Sequence, residues 1–188
     1  MELNKASMRI KSPATEEDLL QMPDDGFKYE LVDGEIIASP SGFYSSAVAA
    51  RISYLLQMYT DNNPVGLVAG ADAGIRLPDG NVRSPDVSVV RIEKLPDGKP
   101  PRTFGAFAPD LAVEVLSPSD SHRLIADKIG EYLQCGVSLV WLVDPEAKSV
   151  TVFRSLTDVQ NLKSGDTITA DPVLPGFSCT VDRFFAPF

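Results

Sequence analysis

The run "LAVEVL", residues 111–116, sets one carboxylate, Glu114, among five apolar residues. An earlier run, "SPDVSVV", residues 84–90, opens on another, Asp86. Strands built from such runs are buried, and a buried carboxylate costs several kcal/mol unless it is paired, hydrogen-bonded or metal-bound. Whatever fold this chain adopts must therefore give each acid a partner. Side chains alternate across a strand, so Asp86, Ser88 and Val90 share one face, and Ala112, Glu114 and Leu116 share one. If the two strands are neighbours, Asp86 and Glu114 can lie close together on the same face. They then repel unless a cation sits between them. Oxygen ligands of this kind, completed by water and a substrate phosphate, suit Mg²⁺ or Mn²⁺. The structural alternative for each acid is a carboxylate hydrogen-bonded to backbone or paired with a base.

The surrounding pattern predicts an α+β (mixed α/β) layout around one sheet. Thr15 is placed to cap a short helix with acids in its first turn. "YELVDGEIIASP", 29–40, is two alternating arms about Asp33-Gly34, a hairpin signal. Residues 45–59 carry apolar side chains at 48, 52, 55, 56 and 59, a helical rhythm that "NNP" ends. Three strand-like runs follow, over 65–78, 81–92 and 110–119. A second helix spans 121–136, with Gly136 as its stop. Two β-rich arms over 137–154 meet at Asp144-Pro145, and 155–188 reads as weaker strands and loops.

That second helix has an apolar stripe of Ile125, Ile129, Tyr132 and Leu133. Lys128 falls on the same stripe, facing inward. A lysine there either snorkels out or aims its ammonium at something negative, and Glu114, on the preceding strand, is the nearest candidate. Beside a metal, such a lysine can orient an attacking water and stabilise developing phosphoryl charge.

Composition narrows the options. With 188 residues the expectation is one domain over 15–188 behind a loose leader, 1–14. No apolar run is long enough for a membrane span, and the first twenty residues have no signal-peptide core. Two cysteines, Cys135 and Cys179, suit a reduced, cytoplasmic protein and lack zinc-site spacing. The net charge is −9. A polyanion such as DNA would meet a repulsive field overall, so a nucleic-acid site here needs metal ions to neutralise its acids.

Taken together, "SPDV", an acid on the next strand and a lysine beyond it resemble the PD-(D/E)XK nuclease superfamily. The usual position of that lysine is Leu116 here. Some members move it to the following helix, and Lys128 fits that variant. The finer resemblance is to the Uma-type family, a large bacterial group classed by similarity with restriction endonucleases. "YELVDGEI", "SPDV", "VEVLSPSD", "DKIGEYLQCGV" and "VWLVDP" carry it, over residues 29–145. The resemblance implies a restriction-endonuclease-like core: a central mixed sheet flanked by helices, with added β-hairpins. It implies a Mg²⁺- or Mn²⁺-dependent endonuclease acting on nucleic acid, DNA first, with Asp86, Glu114 and the backbone carbonyl of Val115 as metal ligands and Lys128 as the catalytic cation. Glu30, in "YEL", is a candidate third acid, or else pairs with a lysine. Many members carry a histidine where this chain reads Gly42-Phe43-Tyr44-Ser45-Ser46.

His122, the chain's one histidine, is expected to be exposed at a helix start, and Trp141 to be core. Ser117 and Ser119 are loop and cap residues, with no base placed to activate them. Cutting both strands of a duplex favours a homodimer, for which the tail "FSCTVDRFFAPF", with Phe184, Phe185 and Phe188, offers an apolar patch; the same phenylalanines could equally pack onto their own domain. Two other readings stay open: a catalytically silent nuclease-fold module that binds or regulates, and a small-molecule phosphodiesterase.

Overall fold

The computed structural model describes residues 13–40, 42–118 and 120–185. Most of the expected leader, residues 1–12, lies outside them, as do Ser119 and Phe188. Ala14, the leader's last residue, is tied to the fold: its N–H donates to Gly34 O at 2.8 Å. Thr15 then caps α1 (Glu16–Leu20) in a capping box with Asp18.

The hairpin β1 (Phe27–Val32) and β2 (Glu35–Pro40) turns at Asp33 and Gly34, both with positive φ. That left-handed pair is what Asp-Gly tolerates and most residues do not. α2 (Phe43–Asn62) follows, longer at both ends than its apolar rhythm predicts. Then come β3 (Gly66–Gly70), β4 (Ile75–Arg76), β5 (Val82–Arg83) and β6 (Val87–Arg91). β7 (Leu111–Val115), α3 (His122–Gln134), β8 (Leu139–Asp144) and β9 (Ser149–Phe153) complete the central part. The tail adds β10 (Val159–Lys163), β11 (Thr167–Ala170) and β12 (Leu174–Thr180).

Three sheets result. The main sheet has the order β10-β9-β8-β7-β6-β3, a smaller one β2-β1-β5-β4, and β11 pairs with β12. β7 and β8 are parallel, joined across α3, while the other pairs of the main sheet are antiparallel. α3 stops at Gly136, φ +91°, whose N–H returns to Leu133 O while Val137 N–H returns to Tyr132 O.

The sheet's two faces differ. On one, Leu111, Val113 and Val115 pack with Val48, Ile52 and Leu56 of α2 and with Trp141. On the other, Ala112 and Val140 pack with Ile129 and Tyr132 of α3. Burying side chains such as Ile52 or Leu56 contributes roughly 1.5–3 kcal/mol each.

Three sequence expectations need correction. The run 81–92 is not one strand. It breaks at Ser84-Pro85-Asp86 into β5, in the small sheet, and β6, in the main one. Proline lacks the N–H that would continue a ladder, so the chain changes sheets there. The run 65–78 divides likewise into β3 and β4. Nor is the tail a sticky patch: Phe184 and Phe185 are buried, with Phe184 stacked at 5.7 Å on Trp141. Phe184 and Phe185 belong to the chain's own core.

Candidate functional site

The break at Pro85 places Asp86 at the edge of the main sheet. β6 and β7 pair as Val87 with Val113, Ser88 with Ala112 and Val89 with Leu111. One step further along this register, Asp86 stands opposite Glu114. Ladder pairing has ended at that point, and Asp86 Oδ2 instead accepts the Val115 N–H at 2.8 Å. Both acids share the face of Ala112, which is the face that α3 covers.

α3 contributes two side chains one turn apart. Lys128 Nζ lies 2.9 Å from Glu114 Oε1 and 3.0 Å from Glu30 Oε1. Tyr132 donates its hydroxyl to Glu114 Oε1 at 2.7 Å, and Lys128 Nζ lies 5.9 Å from its ring centroid. Among the described residues, no hydrogen bond or ion pair falls on Glu114 Oε2.

β1 supplies the rest. Lys28 and Glu30 alternate onto one face, while Tyr29 and Leu31 pack into the small sheet's core. Glu30 Oε1 accepts the Ser84 N–H at 2.7 Å, and Oε2 is 3.3 Å from Arg83. Arg83 also grips Glu131 of α3, with Nε 2.8 Å from Oε2 and NH2 on the same oxygen. Asn81 donates to the other Glu131 oxygen at 2.8 Å. Lys28 Nζ contacts Asp86 Oδ1 and donates to the Ser84 carbonyl, each at 2.9 Å.

Burial and charge act against each other here. Burial pushes the Glu30 carboxyl up, but Lys128, Lys28, Arg83 and the Ser84 N–H together bring it down to about 2. Glu114 goes the other way: burial, then Asp86 and Glu30, raise it despite Lys128 and Lys28. The two acids share Lys128, yet only Glu30 also has an arginine and a backbone donor, so Glu114 holds a proton more readily. Burial alone would lower the Lys128 ammonium, but Glu114 and Glu30 raise it, and it stays charged. Lys28 is raised for similar reasons, with Lys128 opposing. Burial and Glu114 hold the Tyr132 hydroxyl protonated.

The structure therefore brings Asp86, Glu114, Lys128 and Glu30 into one cluster. Val115 enters through its N–H. His122 is exposed and outside the cluster. Sequence reasoning missed Lys28, Arg83 and Glu131, and took Tyr132 only as core. A usable signal existed for Lys28, which lies two residues before Glu30 and so faces the same way.

The donors fit a hard divalent ion better than a soft one, since every candidate ligand is oxygen. Asp86 is the more open acid, its side chain 21% exposed against 6% for Glu114. Glu30 is fully engaged by Lys128, Arg83 and Ser84, which leaves two carboxylates for an ion. The described residues contain no group of three or more His, Cys, Asp or Glu side chains arranged to hold a metal. Water and substrate oxygens would have to complete the shell, as is usual for Mg²⁺.

The fold is that of a nuclease-like protein. A solved structure from Anabaena variabilis, described as "a putative nuclease belonging to DUF820", superposes with a TM-score of 0.80 at 20% identity, over 92% of this chain and 98% of that one. Over residues 16–182 the chain matches the Uma2 family, described as "Putative restriction endonuclease", and it belongs to that family. No curated protein matches the chain. No helix among the described residues is long and apolar enough to cross a membrane.

Proposed function

We propose that this protein is a metal-dependent endonuclease of the PD-(D/E)XK type that hydrolyses phosphodiester bonds, with DNA as the first substrate to test. The observation that carries the reading is the placement of Asp86 beside Glu114, one step past the Val87–Val113 pair, with Lys128 2.9 Å from Glu114. Asp86 and Glu114 would hold a Mg²⁺ or Mn²⁺ ion, with the Val115 carbonyl, at the same strand end, as a further protein ligand. A divalent ion bound there supplies Lewis-acid polarisation of a phosphate and an acidified water.

The chain's own residues do the rest. Lys128 remains an ammonium, so it acts as a fixed positive charge and not as a base. Tyr132 orients Glu114 by donating to Oε1. Glu30 is a positioning residue, since its contacts hold Lys128, Arg83 and the Ser84 backbone. A homodimer would bring two sites to two strands of a duplex. Its interface is not the Phe184–Phe185 pair, which is buried within the chain.

The direct test is cleavage of supercoiled plasmid and of single-stranded RNA with Mg²⁺ or Mn²⁺, for the parent and for Asp86→Asn. Metal-dependent nicking that Asp86→Asn abolishes supports the reading. Equal activity in the two proteins overturns it. The second reading, a silent module, draws on the ammonium already paired with each acid and on the lack of a histidine over residues 42–46. It predicts nucleic-acid binding with no cleavage at any metal concentration.

A further inference from the structure

The geometry points to Lys28 as a tethered cation that fills the place of the metal on Asp86, so that a divalent ion binds only by displacing it. This rests on the metal-site reading above. Lys28 Nζ has two oxygen contacts, Asp86 Oδ1 and the Ser84 carbonyl, each at 2.9 Å. A carboxylate oxygen and a backbone carbonyl are also what a hard divalent cation selects. The ammonium thus already occupies an oxygen-lined position beside the open acid of the pair.

Of the two lysines in the cluster, Lys28 is the one free to leave. Lys128 grips two carboxylates, Glu30 and Glu114, and lies over the Tyr132 ring. Lys28 grips one carboxylate, that of Asp86, the more open acid of the pair. Its four-carbon stem can swing without moving β1. Once displaced, its ammonium is a mobile positive charge at the mouth of the site, available to a phosphate oxygen of the substrate. The metal-free protein is thereby kept from holding a bare Asp86 carboxylate beside Glu114.

A purely structural Lys28 would behave differently. Removing a structural partner of Asp86 leaves that acid misplaced, and metal binding weakens or is unchanged. Removing a competitor strengthens it. Calorimetric titration of Mn²⁺ into the parent and into Lys28→Met at one pH separates the two. The expected result is binding tighter by about tenfold in Lys28→Met, from loss of one positive charge at the ligand. Equal or weaker binding in a folded Lys28→Met overturns the inference and leaves the metal site standing. No Mn²⁺ binding to either protein overturns both.

A second measurement needs no variant. Acetic anhydride labelling of the parent, read by mass spectrometry, should rise several-fold at Lys28 as Mn²⁺ is added, while Lys128 stays protected. Labelling of Lys28 that does not change while Mn²⁺ binding saturates overturns the displacement.

Discussion

Asp86 Oδ2 accepts a 2.8 Å hydrogen bond from the backbone N–H of Val115, the residue after Glu114. The bond lies where the β6–β7 ladder has ended, and it locks one acid to the strand that carries the other. It satisfies the structural reading of Asp86 as well, so the contact alone does not define a site. The cations around the pair are what make a specific account testable.

Glu114→Gln and Lys128→Ala should differ in kind. Glutamine keeps an oxygen for the Tyr132 hydroxyl and removes repulsion from Asp86, while Lys128 retains Glu30. Stability of the metal-free protein should change by no more than about 1 kcal/mol, with Mn²⁺ binding and any cleavage lost. Lys128→Ala leaves Glu114 and Glu30 buried without their shared cation, at about 3–5 kcal/mol. Any cleavage should fall by roughly 10²–10³, with metal binding retained. Denaturant unfolding and calorimetry on both variants check this. Parent-like behaviour in both would show that the cluster is not a site.

Arg83 bridges Glu30 of β1 and Glu131 of α3, so it ties the small sheet to the helix that carries Lys128. Arg83→Met should cost about 3–5 kcal/mol, as expected for breaking a buried charge network. Arg83→Lys should recover little of it, because a single ammonium cannot reproduce the fork that reaches both acids. Thermal or denaturant melts of the two variants measure the difference.

The pH dependence of stability should have two opposed components. Glu30 is depressed to about 2 in the fold, against an ordinary value of 4.5. Its contribution is full above pH 4.5 and is lost as pH falls towards 2. Glu114 is raised, so its ionisation destabilises the metal-free fold as pH rises through its folded value. Hence the stability gap between parent and Glu30→Gln should widen as pH rises from 2 to 4.5. For Glu114→Gln the variant should gain on the parent as pH rises above 4.5. Unfolding free energies across this range, without metal, test both slopes; a Glu30→Gln gap that is flat with pH would contradict the first.

Parts of the fold were legible because they are local. Asp33-Gly34 specifies its turn by backbone preference, and strand parity puts Asp86 and Glu114 on one face once β6 and β7 are neighbours. The α3 stripe turns Lys128 inward and sets it beside Glu114. Other parts depend on where distant segments land. Lys28 and Arg83 reach partners 58 and 48 residues away; alternation with Glu30 gives the face of Lys28, but no local pattern encodes either partner. The sheet change at Ser84-Pro85-Asp86 was hidden because β-favouring residues run from Val82 to Ile92 on both sides of Pro85, so 81–92 scans as one strand. The apolar tail fits an exposed patch or a core of its own equally well in sequence, and only the contact of Phe184 with Trp141 decides between them.

The central claim is that Asp86 and Glu114 together hold one divalent ion. Its most direct test is calorimetric titration of Mn²⁺ into the parent and into Asp86→Asn, under identical buffer conditions. The account predicts one site per chain in the parent and its loss in Asp86→Asn. A parent that takes up no Mn²⁺ at millimolar concentration, or an Asp86→Asn protein that binds it undiminished, would contradict the claim.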